Sequence, residues 1–208
     1  KHYSEQFEIA WNAQLAGTVT ISGTPKSGAT LTANAIGTQV DAGELKYQWF
    51  ADSTEISGAT EKTLVLGADQ VGKQIKVKVS SHNYNMPIES APTAAVAKAD
   101  GPGAIDSYTG TSEVETNIKL AGLGASTPNL EVAVAIDGST YDEYRNLFVD
   151  GDGKASIFGL TGVNASTKVK VRVKETATHF AGADREITVT VAAVDKTALT
   201  AAITAAGE

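Results

Sequence analysis

Apolar and polar residues alternate in short stretches along most of the chain. In ELKYQWF, Leu45, Tyr47 and Trp49 fall on one side of an extended segment, and the polar residues between them fall on the other. The same two-residue period recurs in GTVTIS, ATLTAN, KQIKVKVS, NLEVAVAID, KVKVRVKE and REITVTV. Gly, Pro, Asp and Asn separate these stretches at intervals of about 8–12 residues, which is typical of antiparallel β-sandwiches. The pattern therefore predicts an all-β chain.

The strand pattern is interrupted about halfway along the chain, in KADGPGA. Because Gly and Pro there oppose a continuous strand, we expect a linker between two tandem sandwiches. Near the end, from Asp195, the apolar period becomes that of a helix with Asp195 as its N-cap. We expect the chain to be a segment of a longer protein. The predicted segments are a strand of a preceding domain or an edge strand (1–14), a first sandwich (15–98), a linker (99–104), a second sandwich (105–194) and a short C-terminal helix start (195–208).

An aromatic trio stands out because the chain is only 6% aromatic. Tyr47, Trp49 and Phe50 form either a platform on which a sugar stacks or part of a sandwich core. The mid-strand position of Trp49 favours the core, and Phe50 then points to the opposite face. The alternation predicts these core residues: Leu31, Leu45, Tyr47, Trp49, Ile75 and Val77 in the first sandwich, and Val132, Val134, Val171 and Val189 in the second.

The same alternation predicts which residues of two later strands face outward. In NLEVAVAID, the residues between Leu130, Val132 and Val134 are expected on the solvent side. In REITVTV, a single strand is expected to turn Ile187, Val189 and Val191 toward the core.

Composition excludes several classes of function. The 208 residues carry a net charge of −7 and a pI near 5.0, so a nucleic-acid backbone would be repelled. No apolar run reaches the roughly 18 residues of a membrane span. The absence of cysteine excludes disulfides, thiolate metal sites and cysteine nucleophiles. The sequence holds no phosphate loop, nucleophile elbow or zinc-protease helix. We therefore expect neither an enzyme nor a cofactor.

One loop, VDGDGKAS, offers two carboxylates to a cation. Asp150 and Asp152 would be weak calcium candidates, but an EF-hand loop needs an oxygen ligand at its fifth position and a Glu at its twelfth. Lys154 and Thr161 occupy those positions. A hairpin turn explains the same residues, since Asp-Gly pairs accept positive φ angles easily. The prediction is therefore a turn and no metal site.

Aromatic residues in loops are the candidates for a ligand surface. Tyr84, Phe148 and Phe180 lie in segments between predicted strands. If such rings lay coplanar on one surface, they would favour carbohydrate binding; scattered rings would favour a purely structural role.

Three stretches of the first half together resemble a known family. GTVTISGTPKSGATLTA, LKYQWFADSTEISGAT and TLVLGADQVGKQIKVKVS are similar to the bacterial immunoglobulin-like repeat of cell-surface and S-layer-associated proteins. The resemblance covers about residues 16–98. The stretch GLTGVNASTKVKVRVKETATHFAGADREITV resembles, more loosely, the immunoglobulin-like or fibronectin-like repeats that accompany it. The resemblance implies two tandem immunoglobulin-like or fibronectin-like β-sandwiches, and it implies no reaction.

The chain departs from the better-known immunoglobulin pattern in two respects. The inter-sheet disulfide is impossible without cysteine, and the corner tyrosine is absent, with Ile75 and Val169 at the equivalent strand starts. Both domains are therefore expected to depend on apolar packing alone.

The resemblance implies an extracellular location, on the surface or in the wall of a bacterium. The leading hypothesis is a non-catalytic spacer or adhesion-stalk segment whose partners are the neighbouring domains of the same chain. One alternative is a carbohydrate-binding or adhesin module for cell-wall or host glycan. A further alternative is a pair of accessory domains of a secreted glycoside hydrolase.

Overall fold

The computed structural model describes residues 14–113, 115–124 and 129–192. Within these residues there is no α-helix, and a single 3₁₀ turn spans Ala68–Gln70. The strands are β1 (Thr18–Ser22), β2 (Thr30–Ile36), β3 (Leu45–Ala51), β4 (Thr54–Glu55), β5 (Thr63–Val65), β6 (Ile75–Ser81), β7 (Ile88–Glu89), β8 (Thr109–Ser112), β9 (Ile118–Ala121), β10 (Leu130–Ala135), β11 (Arg145–Leu147), β12 (Lys154–Ile157), β13 (Lys168–Val173), β14 (Arg185–Thr188) and β15 (Thr190–Val191). The all-β prediction is confirmed.

Two predicted segments lie outside the described residues: the strand in QFEIAW and the helix start at 195–208. Among the residues that are described, no helix has the length and hydrophobicity needed to cross a membrane.

The chain divides into two compact units. The first comprises Lys1–Ala99 with Ala177–His179, and the second comprises Asp100–Thr176 with Phe180–Glu208. Each unit has its own cluster of buried apolar residues. Separate cores are what two tandem sandwiches require.

In the first unit, two sheets enclose a core centred on Trp49. One sheet has the strand order β1-β2-β5 and the other has the order β4-β3-β6-β7. The long antiparallel pair β3–β6 places Trp49 opposite Val77. Leu31, Trp49, Ile75 and Val77 are fully buried. Leu45 and Tyr47 are half-buried and pack against this cluster.

The second unit repeats this architecture with sheets of order β12-β9-β8-β15 and β11-β10-β13-β14. Its core includes Val132, Val134, Val171 and Val189, all of which are buried. The four sheets thus form two sandwiches, as the alternating pattern predicted.

The segment REITVTV does not form the single strand that its alternation predicts. β14 pairs with β13 in one sheet, and after Val189 the chain crosses to pair with β8 in the other sheet. Val189 is buried, and its amide donates to the carbonyl of Thr167 (2.8 Å). Val191 is 37% exposed rather than turned into the core. The prediction for Val191 was wrong because the alternation of apolar and polar residues continues in the sequence without a break where the chain changes from one sheet to the other.

Strand β10 is buried on both faces, whereas its alternation predicted one solvent side. In register, β13 places Lys170 beside Ala133 and Arg172 beside Glu131. The aliphatic stems of long cationic side chains cover small neighbours while their charged ends stay in water. Burial of the outer face therefore depends on a neighbouring strand.

Tyr108 provides the second unit with a polar contact between its sheets. Its buried hydroxyl lies 3.0 Å from the carbonyl oxygen of Val169 and 2.8 Å from that of Arg185. Tyr108 directly precedes β8, whereas the two carbonyls belong to β13 and β14 of the opposite sheet. Burial raises the pKa of this phenol far above its ordinary value. The expectation that both domains depend on apolar packing alone was therefore wrong for this unit.

Candidate binding surface of the second unit

The aromatic trio of the first unit does not form a platform. Trp49 is fully buried, and its indole N–H donates to the carbonyl of Glu61 (2.8 Å). Phe50 lies on the opposite face of β3, half-buried, with the Lys78 ammonium 5.4 Å from its ring centroid. Because neighbouring residues of a strand point to opposite faces, the two rings cannot stack on one ligand.

Tyr84 joins two loops of the first unit. Its hydroxyl donates to the carboxylate of Asp41 (2.8 Å), and its amide donates to the hydroxyl of Ser81 (3.1 Å). The hydrogen bond to Asp41 raises the pKa of the Tyr84 phenol. The ring also packs against the core cluster. These contacts give Tyr84 a structural role in holding the two loops together.

The carboxylate of Asp150 is used by the turn that precedes β12. One of its oxygens accepts the amide N–H groups of Asp152 (2.9 Å) and Lys154 (2.8 Å). Gly153 takes the positive φ of 74° that closes the turn. The Asp152 carboxylate lies 3.8 Å from the Lys154 ammonium. Within the described parts of the chain, no group of three or more acidic or histidine side chains has the arrangement of a metal site.

Phe148 stands beside a groove of about 600 Å³ in the second unit. The ring is 86% exposed and follows β11 directly. The groove lies on the outer face of three neighbouring strands, β12, β9 and β8. Its lining is formed by Phe148, Val149 and Asp150 on one side and by Thr109, Thr111, Lys119, Leu120, Ala121, Lys154, Ala155 and Ser156 from the strands.

The strand register arranges the groove floor in two rows. Ser156, Lys119 and Thr111 lie side by side in one row. Lys154, Ala121 and Thr109 form the next row. The outward-facing positions of β8, β9 and β12 alternate with buried ones, so these side chains point away from the core.

The structure places the three predicted ligand candidates in different surroundings. Tyr84 belongs to the first unit, whereas Phe148 and Phe180 belong to the second. Phe180 is 50% exposed and does not line the groove. Phe148 was predictable from the sequence, whereas the strand residues beneath it were not, because their side-by-side arrangement depends on the pairing of three strands.

A polar cluster that the sequence did not predict lies on the outer face of the other sheet. The Lys170 ammonium lies 4.1 Å from the centroid of the Tyr141 ring, and the Arg172 guanidinium lies 3.7 Å from that of Tyr144. Such contacts between cations and aromatic faces are attractive. Both cations come from alternate positions of β13, and both rings come from the segment TYDEYR. The two cations are two residues apart and the two tyrosines are three apart, so no local pattern in the sequence indicates that they meet.

Acidic side chains complete this cluster. The Tyr141 hydroxyl donates to Glu186 (2.6 Å), and the Tyr144 hydroxyl donates to Asp184 (2.5 Å). Arg172 also donates to Glu131 (2.6 Å). Burial and the acidic acceptors raise the pKa of both phenols well above their ordinary value. The cluster is internally paired, which favours a structural role.

We expect the Glu186 contacts to make the stability of the second unit depend on acidic pH. The hydrogen bond from Tyr141, followed by the contact with Lys168, holds the pKa of Glu186 below its ordinary value of 4.5. Because the pKa of Glu186 is lower in the folded state than in the unfolded state, its ionised carboxylate stabilises the folded protein at pH values above the unfolded-state pKa. This stabilisation is lost as the pH falls through the folded-state pKa. The melting temperature of Glu186→Gln should therefore lie below that of the parent above pH 4.5 and converge with it below that pH. Glu143→Gln, which changes an exposed acid close to Tyr141 in sequence, is the control. A difference between Glu186→Gln and the parent that stays constant across this pH range would contradict the assignment.

Comparison with known proteins gives matches only among solved structures. No protein-family model matches the chain, and no curated protein matches it. Three N-terminal domains of the bacteriophage RB49 highly immunogenic outer capsid protein (Hoc) are 18% identical, with 85% of this chain and 59% of that chain covered and a TM-score of 0.38. A two-domain fibronectin type III segment of chicken tenascin is 14% identical, with 80% and 95% covered and a TM-score of 0.37. The FN1–FN3 domains of chicken CNTN1 are 14% identical, with 86% and 66% covered and a TM-score of 0.31.

This chain therefore spans less than two thirds of the Hoc segment and nearly all of the tenascin segment. At these identities the likeness concerns the fold alone. What the chain itself shows is two tandem β-sandwiches.

Proposed function

We propose that this chain is a non-catalytic spacer or stalk segment of a large bacterial cell-surface protein, built to stay folded when its ends are pulled. Tandem immunoglobulin-like and fibronectin-like domains are typical of non-catalytic extracellular modules. The observation that carries the proposal is the same in both units. In each, an early segment pairs in parallel with a late one.

In the second unit, the paired segments are its first and last described strands. β8 pairs in parallel with β15, with Thr111 beside Thr190 and Ser112 beside Val191. The amide of Ala192 then donates to the carbonyl of Ser112 (2.8 Å). These contacts join the two ends of one sandwich directly.

In the first unit, a shorter parallel bridge has the same effect. Lys26 pairs in parallel with Ala97. The amide of Ser27 donates to the carbonyl of Ala97, and the amide of Ala97 donates to the carbonyl of Pro25, both at 2.9 Å. The segment that follows β1 is thus held to the last part of this unit by two backbone hydrogen bonds.

Parallel pairing determines how such contacts respond to tension. When two parallel neighbours are pulled from the start of one and the end of the other, the force acts along the strands in opposite directions. All the hydrogen bonds between them are then sheared together. Antiparallel end strands would instead be separated one hydrogen bond at a time from a common end. The parallel arrangement therefore suits a segment that transmits force.

The location on a bacterial surface rests on the resemblance of residues 16–98 to immunoglobulin-like repeats of such proteins. The neighbouring domains of the parent chain are the partners that this role requires. The acidic charge of the chain and the lack of cysteine are compatible with this setting.

Single-molecule pulling on the full chain tests the proposal. Ala97→Pro and Ala192→Pro each remove one donor from a parallel bridge, at exposed positions of the first and second unit. Each variant should lower the unfolding force of its own unit and leave the other unit unchanged, so that each is the control for the other. In denaturant unfolding, the loss of one hydrogen bond should lower the free energy of unfolding by only about 0.5–1.5 kcal/mol. Unchanged unfolding forces in both variants would refute the mechanical role.

A second candidate function, a carbohydrate-binding module, is favoured by one observation. An exposed aromatic ring, Phe148, borders a groove whose floor carries hydroxyl and ammonium groups.

A further inference from the structure

We infer that the groove beside Phe148 binds a neutral, hydroxyl-rich polysaccharide chain along the outer face of β12, β9 and β8. This inference goes beyond the mechanical role and does not depend on it, because a stalk segment can carry a binding site on one of its sheets.

The position of Phe148 distinguishes it from an ordinary exposed apolar residue. Single exposed apolar side chains are common on protein surfaces and need no explanation. Phe158 is of that kind: it is 73% exposed and does not line the groove. Phe148, by contrast, forms a wall of a concave surface whose floor is polar. An apolar ring next to hydrogen-bonding groups suits a sugar, which has an apolar ring face and a polar rim.

The floor offers donors and acceptors at regular spacings. Thr109, Thr111 and Ser156 each contribute a hydroxyl that both donates and accepts. Adjacent strands lie about 4.8 Å apart, so each row spans roughly 10 Å across three strands. Ala121 lies in the middle of its row between longer side chains, which leaves a depression at the centre of the floor. This arrangement matches a flexible chain of hydroxyl groups better than a small rigid ligand.

The charges at the groove favour a neutral ligand over an acidic one. The Lys119 ammonium lies 2.9 Å from the Glu113 carboxylate, and the Lys154 ammonium lies 3.8 Å from that of Asp152. Asp150 also lines the groove. Each cation is therefore accompanied by an acid, and no net positive field remains to attract a polyanion. An ammonium group still has further N–H donors for sugar hydroxyls.

The size and open shape of the groove favour an extended ligand over a small enclosed one. Its volume of about 600 Å³ is within the range of ordinary ligand sites. It lies on an open sheet face, which suits the side of a polysaccharide chain rather than a single enclosed sugar.

The test uses the full chain and four neutral hexasaccharides (of β-glucose, xylose, mannose and N-acetylglucosamine), with an oligomer of galacturonic acid as the acidic comparison. Amide NMR shifts are followed during titration to millimolar concentrations. At least one neutral oligosaccharide should shift the amides of Thr109, Thr111, Lys119 and Ser156 in a saturable way. Phe148→Ala should weaken this binding by roughly tenfold or more.

Phe158→Ala is the matched control, because it removes another largely exposed ring that lies outside the groove, and it should leave the affinity unchanged. Thr111→Val removes one floor hydroxyl from a strand position and should weaken binding severalfold. Three results would overturn the inference: no neutral oligosaccharide shifts these amides, only the galacturonic acid oligomer does so, or Phe158→Ala weakens binding as much as Phe148→Ala. None of them would alter the pulling result, so the two proposals fail separately.

Discussion

Replacing Trp49 with alanine is expected to destabilise the first unit by roughly 3–5 kcal/mol, the cost of truncating a large buried aromatic side chain. The ring is fully buried opposite Val77 on the neighbouring strand. Its loss leaves a cavity between the two sheets and removes the partner of the Glu61 carbonyl. The cavity and the lost hydrogen bond both lower the free energy of unfolding.

Denaturant unfolding of the full chain measures this effect. The second unit has a separate core, so its transition should not move. Trp49→Phe is the matched variant, because it keeps most of the apolar volume and loses the indole N–H. It should lower the free energy of unfolding clearly less than Trp49→Ala does. With Trp11 replaced, fluorescence from Trp49 should be blue-shifted and resist quenching by iodide. Free quenching would show that the ring is accessible and would restore the platform hypothesis.

Replacing Tyr108 with alanine is expected to cost the second unit about 3–5 kcal/mol, because the substitution removes a buried ring from the core. Tyr108→Phe keeps the ring and removes only the hydroxyl. That hydroxyl lies within hydrogen-bond distance of carbonyls on β13 and β14, so we expect a cost of about 0.5–1.5 kcal/mol.

The difference between the two variants separates packing from the inter-sheet hydrogen bond. Denaturant midpoints of the second unit provide the measurement, and the first unit serves as the internal reference. If Tyr108→Phe had no effect, the hydroxyl would not join the sheets. If it were as costly as alanine, the ring would contribute nothing through packing.

Much of the fold could be predicted because its determinants are local. The alternation in KQIKVKVS places Ile75, Val77 and Val79 on one face, and all three are fully buried. The Asp-Gly pairs predicted a turn before β12, and the Asp150 carboxylate caps that turn within four residues. Such features need only the geometry of an extended strand or of a tight turn.

The candidate site was predictable only in part. The exposed ring of Phe148 was chosen because it lies between predicted strands. The groove beside it also requires β9 to lie between β12 and β8, and strand order in a sheet is not encoded in any one stretch of sequence. Thr111, Lys119 and Ser156 become neighbours only through that order.

The sequence by itself determined most of the strands, most of their apolar faces and the presence of two sandwiches, because a two-residue period and turn residues act over short distances. The tertiary structure decided the contacts that distinguish this chain. The Tyr108 hydroxyl meets the carbonyl of Arg185 across 77 residues, and Tyr144 meets Asp184 across 40. After β14 the chain leaves one sheet, and β15 pairs with β8 in the other. Each of these contacts forms only when distant segments are brought together by burial of a shared core, which no local pattern records.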